Sequence, residues 1–270
     1  MNNEIISYIE QNLRAFFDKL KGKYPRKLYK AMEYAVFSGG KRIRPYLMLL
    51  TADFLGLPRE KVINQAVSLE LIHSYSLVHD DLPGMDNDDF RRGQPTCHKE
   101  YGEALAILAG DALLNAAFEN LFDAAIKDPP ILKSCRFIAF KAGGEGMIGG
   151  QALEFSDLVV DLSLYEEICS KKTGALISAA VMCPALIRAD MDEFEALKTY
   201  GDKLGLIFQF VDDLLDLGKD KLSFATLAGK DYMLRRVEQL KRDALETLSQ
   251  FGTRAEKLAE FCNFLTKRTT

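Results

Sequence analysis

Helical periodicity is the feature that most constrains what this chain can fold into. Apolar residues recur at three- and four-residue intervals through most of the sequence, whereas the alternating pattern of half-buried strands is almost absent. Glycine and proline cluster in the breaks between these stretches, where they end helices. The pattern therefore predicts an all-α protein, with helices over residues 5–20, 62–79, 104–125, 132–142, 164–187, 192–217 and 233–251.

No linker-like or low-complexity tract interrupts the sequence, so we expect one domain over residues 1–270 with about ten or more helices. Two of the predicted helical stretches, 104–117 and 175–185, are apolar on most sides, which is typical of interior helices. Helical bundles build their sites from side chains on facing helices. We therefore expect a functional site inside the helical assembly.

Charge and cysteine content exclude several classes of protein. The net charge of −4 argues against a protein that binds nucleic acid. Five scattered cysteines without a C-x-x-C pair indicate neither a disulfide framework nor a zinc site, and they suit a reducing compartment. The N-terminus has no signal-peptide block, and the longest apolar stretch, 175–187, contains Pro184 and is too short to span a membrane. We expect a soluble, cytoplasmic protein.

The segment SLVHDDLPGMDNDDFRRG, residues 76–93, is unusually acidic. Its five aspartates lie within ten residues: Asp80, Asp81, Asp86, Asp88 and Asp89. Carboxylates at this density repel one another unless a cation lies among them, and two arginines follow directly. The segment predicts a cation site with arginines beside it.

A second acidic group lies in GLIFQFVDDLLDLGKD, residues 205–220. Helical spacing puts Asp212 and Asp216 on one face, with Gln209 one turn earlier and Asp213 adjoining. Apolar neighbours make these charges costly unless a cation is present. Magnesium is usually held by one or two carboxylates plus substrate phosphates, so two such groups predict a phosphate-bearing substrate. Neither an EF-hand loop nor a nucleotide-binding P-loop is present in the sequence.

Basic residues occur in short groups beside glycine. SGGKRIRP (38–45) and KKTGAL (171–176) are two of these groups, and His73 lies about two turns before the first acidic segment. Arginine's forked donors suit diphosphate oxygens. Together with the acidic segments, these groups predict two anion sites, one reached through metal and one formed by lysine and arginine alone.

Five motifs in order resemble the trans-polyprenyl diphosphate synthases, and in particular the bacterial farnesyl diphosphate synthase (geranyltranstransferase) type. They are GGKRIRP (39–45), DDLPGMD (80–86) followed by RRG (91–93), GGQALE (149–154), KKTGAL (171–176) and FQFVDDLLD (208–216). The match runs over nearly the whole chain. The resemblance implies an all-helical, usually homodimeric enzyme with a deep central cavity and its two aspartate motifs facing across the mouth.

The resemblance also implies roles for matching residues. Magnesium, as about three ions with manganese as an alternative, would be bound by Asp80, Asp81, Asp86, Asp212 and Asp216. The allylic diphosphate would be held by Arg91, Lys172 and Lys221, and isopentenyl diphosphate by Lys41, Arg44, His73 and Arg92. Lys172, Thr173 and Gln209 would act at the reacting carbons.

The implied reaction is head-to-tail condensation of isopentenyl diphosphate with dimethylallyl or geranyl diphosphate. Magnesium-assisted ionisation gives an allylic cation, the alkene attacks it, and diphosphate is released. Tyr75 and Ser76 occupy the positions about one turn before Asp80 that would set product length. An aromatic ring there predicts mainly (2E,6E)-farnesyl diphosphate.

Two features depart from the family pattern. Only four residues separate Asp216 from Lys221, where family members are longer, and Glu154 stands where an aspartate is usual. Two other functions stay open: a geranylgeranyl diphosphate synthase, and a non-catalytic subunit of a heteromeric prenyl synthase. A terpene cyclase is disfavoured, because this chain has two aspartate motifs and a second anion site.

Overall fold

The computed structural model describes residues 1–156, 161–216 and 227–267. These residues are mostly helical, which confirms the predicted all-α class. Their only sheet is a two-stranded hairpin, which the sequence pattern missed because two-residue strands are too short to show alternation. Lys221, assigned to the allylic diphosphate, lies outside the described residues.

The chain divides into two compact units, each of which packs mainly against itself. Unit 1 contains Met1–Tyr46 and Ile63–Pro129, and unit 2 contains Leu47–Val62 and Pro130–Thr270. A single domain over residues 1–270 therefore stays a prediction.

Unit 1 is built around the pairing of helices α4 and α6. The Ser68 hydroxyl of α4 donates to the Ala117 carbonyl of α6 at 3.0 Å. A Cβ at Gly110 would come within 2.1 Å of His79 Nε2, so glycine there leaves room for the His79 ring in its observed position. The elements of unit 1 are α1 (Asn3–Leu20), α2 (Arg26–Phe37), the start of α3 (Ile43–Phe54), α4 (Ile63–Asp80), β1 (Phe90–Arg91), β2 (Gln94–Pro95), α5 (Cys97–Tyr101) and α6 (Glu103–Lys127).

Helix α6 combines a buried face with an apolar exposed one. Leu108, Phe122 and Ile126 are 55%, 60% and 77% exposed and lie at near-integral helical turns from one another. Among the described helices, α6 alone has the length and composition of a membrane span, a test that core helices of soluble proteins also pass. Apolar residues exposed along one helix face are typical of an interaction surface.

Unit 2 is centred on α10, whose residues from Ala175 to Ala185 are all buried. The single helix predicted over 164–187 is in fact α9, a π-helical turn at Ser170–Gly174, and α10. The elements are the rest of α3, α7 (Leu132–Ala142), α8 (Met147–Glu154), α9 (Leu162–Cys169), the π turn, α10 (Ala175–Arg188), α11 (Met191–Leu215), α12 (Lys230–Ser249) and α13 (Glu256–Lys267).

Close glycine contacts hold the π turn in place. A Cβ at Gly205 of α11 would lie 2.6 Å from Gly174 Cα, and one at Gly150 of α8 would lie 2.2 Å from the Lys172 nitrogen. Side chains larger than hydrogen would push both helices away from the turn. The π turn therefore presents Lys172 and Thr173 in a fixed position. All five cysteines are free and buried.

Candidate active site

The first aspartate motif begins where α4 ends at Asp80. The buried Asp81 carboxylate accepts from Arg91 Nε, with Oδ1 at 2.7 Å, and Arg91 Nη2 lies 3.6 Å from Asp88 Oδ2. Burial raises the pKa of Asp81, although the Arg91 guanidinium opposes that rise. In this arrangement Arg91 is the cation that compensates Asp81.

A tight turn returns the chain to the end of α4. The Asp86 N–H donates to the Asp80 carbonyl at 2.8 Å, and the Asn87 N–H donates to the Leu82 carbonyl at 3.1 Å. Asn87 has φ +53°, a conformation that asparagine tolerates better than most residues. The turn brings the backbone of Asp86, whose side chain is exposed, next to the half-buried Asp80.

The β1–β2 hairpin separates the two neighbouring arginines. Its turn is formed by Arg92 and Gly93, with φ +54° and +76°, the positive values that two-residue hairpin turns require. Arg91 pairs with Asp81, whereas Arg92 Nη1 donates to the carbonyl of Gly39. The hairpin thus directs Arg91 to the first aspartate motif and Arg92 to the glycine turn before α3.

The glycine turn is shaped to accept Arg92. Gly39 and Gly40 have φ +102° and +131°, and a Cβ at Gly40 would lie 2.7 Å from Arg92 Nη1. Glycine is required here for both backbone conformation and space. The GG pair of the motif therefore helps to position the Arg92 guanidinium.

Arg42 has a structural role within the same motif. Its buried guanidinium donates to Glu10 Oε1 at 2.7 Å, to Glu70 Oε1 at 2.9 Å and to the Val36 carbonyl at 2.8 Å. These bonds commit Arg42 to the interior of unit 1. Its motif neighbours differ, because Lys41 is exposed and Arg44 is buried.

The cations of unit 1 converge on His73. The pKa of this half-buried histidine is held well below its ordinary value by burial and then by the positive charges of Arg44, Arg92, Arg91 and Arg42. The fold therefore brings together Arg44, His73 and Arg92, which the sequence assigned to one diphosphate. Lys41 lies on the surface at the adjoining turn.

Tyr75 is a buried aromatic residue on α4, five residues before Asp80. It is 5% exposed, and its ring lies edge-on to that of His79 with centroids 5.8 Å apart. Its hydroxyl has no hydrogen-bond partner among the described residues, and burial raises its pKa to about 12. Ser76, half-buried beside it, donates to the His73 carbonyl at 3.0 Å.

The second aspartate motif lies at the end of α11, in unit 2. Asp212 is half-buried and Asp216 is exposed, and the Asp216 N–H donates to the Asp212 carbonyl at 3.0 Å. Asp213 is buried and accepts from Gln209 Nε2 at 2.9 Å. Of the three carboxylates, Asp213 is the buried one. The assignment of Asp212 and Asp216 as metal ligands stays a prediction.

The π turn lies beside this motif. Thr173 Oγ1 donates to Gln209 Oε1 at 2.6 Å, so the structure places these two candidate residues side by side. Lys172 Nζ forms an ion pair with Glu154 of α8. The departure from the family pattern at Glu154 thus preserves a carboxylate partner for the lysine.

The donor chemistry of both motifs fits magnesium. Among the described residues, no three His, Cys, Asp or Glu side chains form a preassembled metal cluster. Magnesium dehydrates reluctantly, takes one or two carboxylates, and completes its shell with water and substrate phosphate. Asp80 and Asp86 in unit 1, and Asp212 and Asp216 in unit 2, offer hard oxygen donors of this kind.

Sequence reasoning missed two residues that support these groups. Glu70 neutralises Arg42 from 28 residues away, and Tyr165 donates to Asp213 Oδ2 at 2.7 Å from 48 residues away. Neither lies in a motif, and no local periodicity links residues so distant in sequence. The one signal available in the sequence was the lone acidic residue Glu70 in an otherwise apolar stretch.

The converging arginines of unit 1 suit a diphosphate, and the aspartates at the helix ends suit magnesium. Enzymes that transfer prenyl groups between diphosphates use both kinds of site. The helical fold and these groups define the class of helical prenyltransferases. The chain belongs to the polyprenyl synthetase family, whose model matches residues 25–258.

Relatives carry several product names. The chain is 45% identical to a farnesyl diphosphate synthase of Geobacillus stearothermophilus, over 80% of this chain and 74% of that protein. It is 36% identical to geranylgeranyl pyrophosphate synthase 4 of Arabidopsis thaliana, over 98% and 77%. A geranyltransferase structure from Legionella pneumophila superposes with TM-score 0.93 at 36% identity, over 99% and 96%. The protein is a prenyltransferase that elongates prenyl chains.

Proposed function

We propose that the product is mainly (2E,6E)-farnesyl diphosphate, made from isopentenyl diphosphate and dimethylallyl or geranyl diphosphate. The observation that carries this proposal is the buried ring of Tyr75, five residues before Asp80 on α4. Five helical residues span roughly 7.5 Å along the axis. A ring at that depth would stop a prenyl chain whose diphosphate is held near Asp80.

The two diphosphates would be bound by different groups. Lys41, Arg44, His73 and Arg92 would hold isopentenyl diphosphate, and the convergence of arginine charge on His73 supports this assignment. Arg91 and Lys172 would hold the allylic diphosphate. Both are paired with carboxylates, Asp81 and Glu154, which a diphosphate would replace as the anionic partner.

Asp80, Asp81, Asp86, Asp212 and Asp216 would bind magnesium, as about three ions with manganese as an alternative. When bound, the metal would neutralise charge that develops on the departing diphosphate. Arg91 and Lys172 would add to that neutralisation from the protein. Arg44 and Arg92 would fix the second substrate close to the allylic carbon, which makes the condensation effectively intramolecular.

Thr173 and Gln209 would lie near the reacting carbons. Oxygen lone pairs turned toward an allylic cation stabilise it without forming a bond. The apolar residues that flank them on α11 would exclude water, which otherwise captures the cation as an alcohol. The proton lost after condensation would pass to the departing diphosphate.

A geranylgeranyl diphosphate synthase is the second candidate, favoured by the Arabidopsis thaliana relative of that name. A chain of twenty carbons would need more depth below the aspartates than a buried tyrosine allows. A non-catalytic subunit is disfavoured because the residues of both aspartate motifs are present.

We also propose a cytoplasmic homodimer. The exposed apolar residues of α6 would be covered by a second copy of the chain, and five free thiols suit a reducing compartment. Light scattering should give twice the chain mass, and Phe122→Asp should lower it. The exposed control Leu234→Asp should not, and a monomeric unaltered protein would contradict the proposal.

Incubation of the purified protein with magnesium, labelled isopentenyl diphosphate and each allylic primer tests the product assignment. Chromatography of the dephosphorylated products should show mainly fifteen-carbon farnesol from both dimethylallyl and geranyl diphosphate. A twenty-carbon main product would establish the second candidate instead. Absence of product with every primer would favour the subunit alternative.

A further inference from the structure

Asp213 is a buried carboxylate that receives hydrogen bonds from two sides. Oδ2 accepts from the Tyr165 hydroxyl of α9 at 2.7 Å, and Oδ1 accepts from Gln209 Nε2, one turn earlier on α11, at 2.9 Å. Asp213 is 6% exposed, so its carboxyl oxygens depend mainly on protein donors for hydrogen bonds. This residue has no ligand role in the proposed function.

The hydrogen bond between Gln209 and Asp213 fixes the direction of the next one. Gln209 Nε2 donates to Asp213 Oδ1, so the NH₂ group of Gln209 faces Asp213. The Gln209 carbonyl oxygen then faces Thr173 and also only accepts. The Thr173 hydroxyl is therefore the donor in the 2.6 Å contact, and its proton points at Gln209.

We infer that Tyr165 is a positioning residue for prenyl transfer, acting through Asp213 and Gln209 on the orientation of the Thr173 hydroxyl. The inference rests on the proposed function, in which Thr173 lies near an allylic cation. With its proton committed to Gln209, Thr173 presents oxygen lone pairs to that cation. If the Thr173 hydroxyl pointed the other way, its hydrogen would present a partial positive charge to the cation and disfavour ionisation of the allylic diphosphate.

Packing holds the hydrogen-bonded side chains in place. The π turn carries Thr173, and the contact between Gly205 and Gly174 brings that turn against α11. Burial and neighbouring negative charge raise the pKa of Tyr165, so its hydroxyl stays a donor at neutral pH. The direction of every bond in the series is thus set by buried groups.

Tyr165→Phe removes the donor and keeps the ring. We expect kcat to fall roughly 10-fold, the lower end for loss of an orienting partner, with the KM for isopentenyl diphosphate nearly unchanged. Tyr200→Phe is the matched control, because it removes another buried tyrosine hydroxyl of unit 2, which donates to the Leu258 carbonyl at 2.7 Å. The control should lower thermal stability without lowering kcat.

A double-mutant cycle distinguishes positioning from general loosening. If Tyr165 acts through Thr173, Tyr165→Phe should lower kcat by less than about twofold when Thr173 is already replaced by valine. An equal loss in both backgrounds, or a kcat for Tyr165→Phe equal to that of Tyr200→Phe, would overturn the inference while leaving the proposed function intact.

Should Tyr165→Phe fold poorly, Asp213→Asn should show the same non-additivity with Thr173→Val, and additivity there would also overturn it. Absence of product from the unaltered protein would overturn the proposed function and this inference with it.

Discussion

Arg91 Nε donates to Asp81 Oδ1 across 2.7 Å, so the most deeply buried carboxylate of the first motif already has a cationic partner. Arg92, the next residue, instead contacts the Gly39 carbonyl. Adjacent arginines of one hairpin thus face different surroundings, one acidic and one cationic. This division underlies the proposal that they serve different substrates.

The arginine pair gives the first prediction. Arg91→Gln should raise the KM for the allylic diphosphate by about 10-fold or more, because a charge-assisted bond contributes about 1.5–3 kcal/mol, and should leave the KM for isopentenyl diphosphate nearly unchanged. Arg92→Gln should do the reverse. Steady-state kinetics with each substrate varied in turn would measure both values. Parallel changes in the two constants for either variant would contradict the division.

Substitution of Arg42 should lower stability, whereas substitution of Lys41 should not. Arg42→Met leaves Glu70 buried without its cation, which should lower the free energy of unfolding by about 3–5 kcal/mol. Lys41→Met alters an exposed side chain and should affect stability little. Urea unfolding of the two variants provides the comparison. Equal stability would show that the Arg42–Glu70 pair does not stabilise unit 1.

His73 should make stability depend on pH. Its pKa in the folded protein lies well below the ordinary 6.5, so the unfolded chain binds the proton more readily. Stability is therefore lost as pH falls below 6.5 toward the lowered folded pKa. The contribution is at most about 1.4 kcal/mol per pH unit. His73→Gln should flatten the curve of unfolding free energy over that window; an unchanged slope would assign the dependence to other groups.

Gly205 tests the packing of the π turn. Gly205→Ala would place a methyl group 2.6 Å from Gly174 Cα, and overpacking of this kind costs about 1–3 kcal/mol. Because Thr173 is part of this turn, displacement of the turn should lower kcat as well. Gly84→Ala is the control, since a Cβ there meets nothing within 4 Å. Retention of full activity and stability in Gly205→Ala would show that the turn tolerates displacement.

The helices could be predicted because their apolar spacing is local, and helices α6, α7 and α11 lie within two residues of the predicted ends. The π turn could not, because it depends on Gly150 and Gly205, which are distant in sequence. Charge density revealed the aspartate motifs without homologous structures. It could not separate Arg42 from Arg44, because only the fold shows which arginine is committed to Glu70.

The most direct test of the account is the product length of the unaltered protein beside Tyr75→Ala and Tyr75→Phe. Tyr75→Phe loses only a hydroxyl without a partner among the described residues, so it should still give farnesyl diphosphate. Tyr75→Ala removes the ring and should shift the main product to twenty carbons or more. Chromatography of the dephosphorylated products would decide the matter. A farnesyl-only profile from Tyr75→Ala would contradict the claim that this ring ends chain growth.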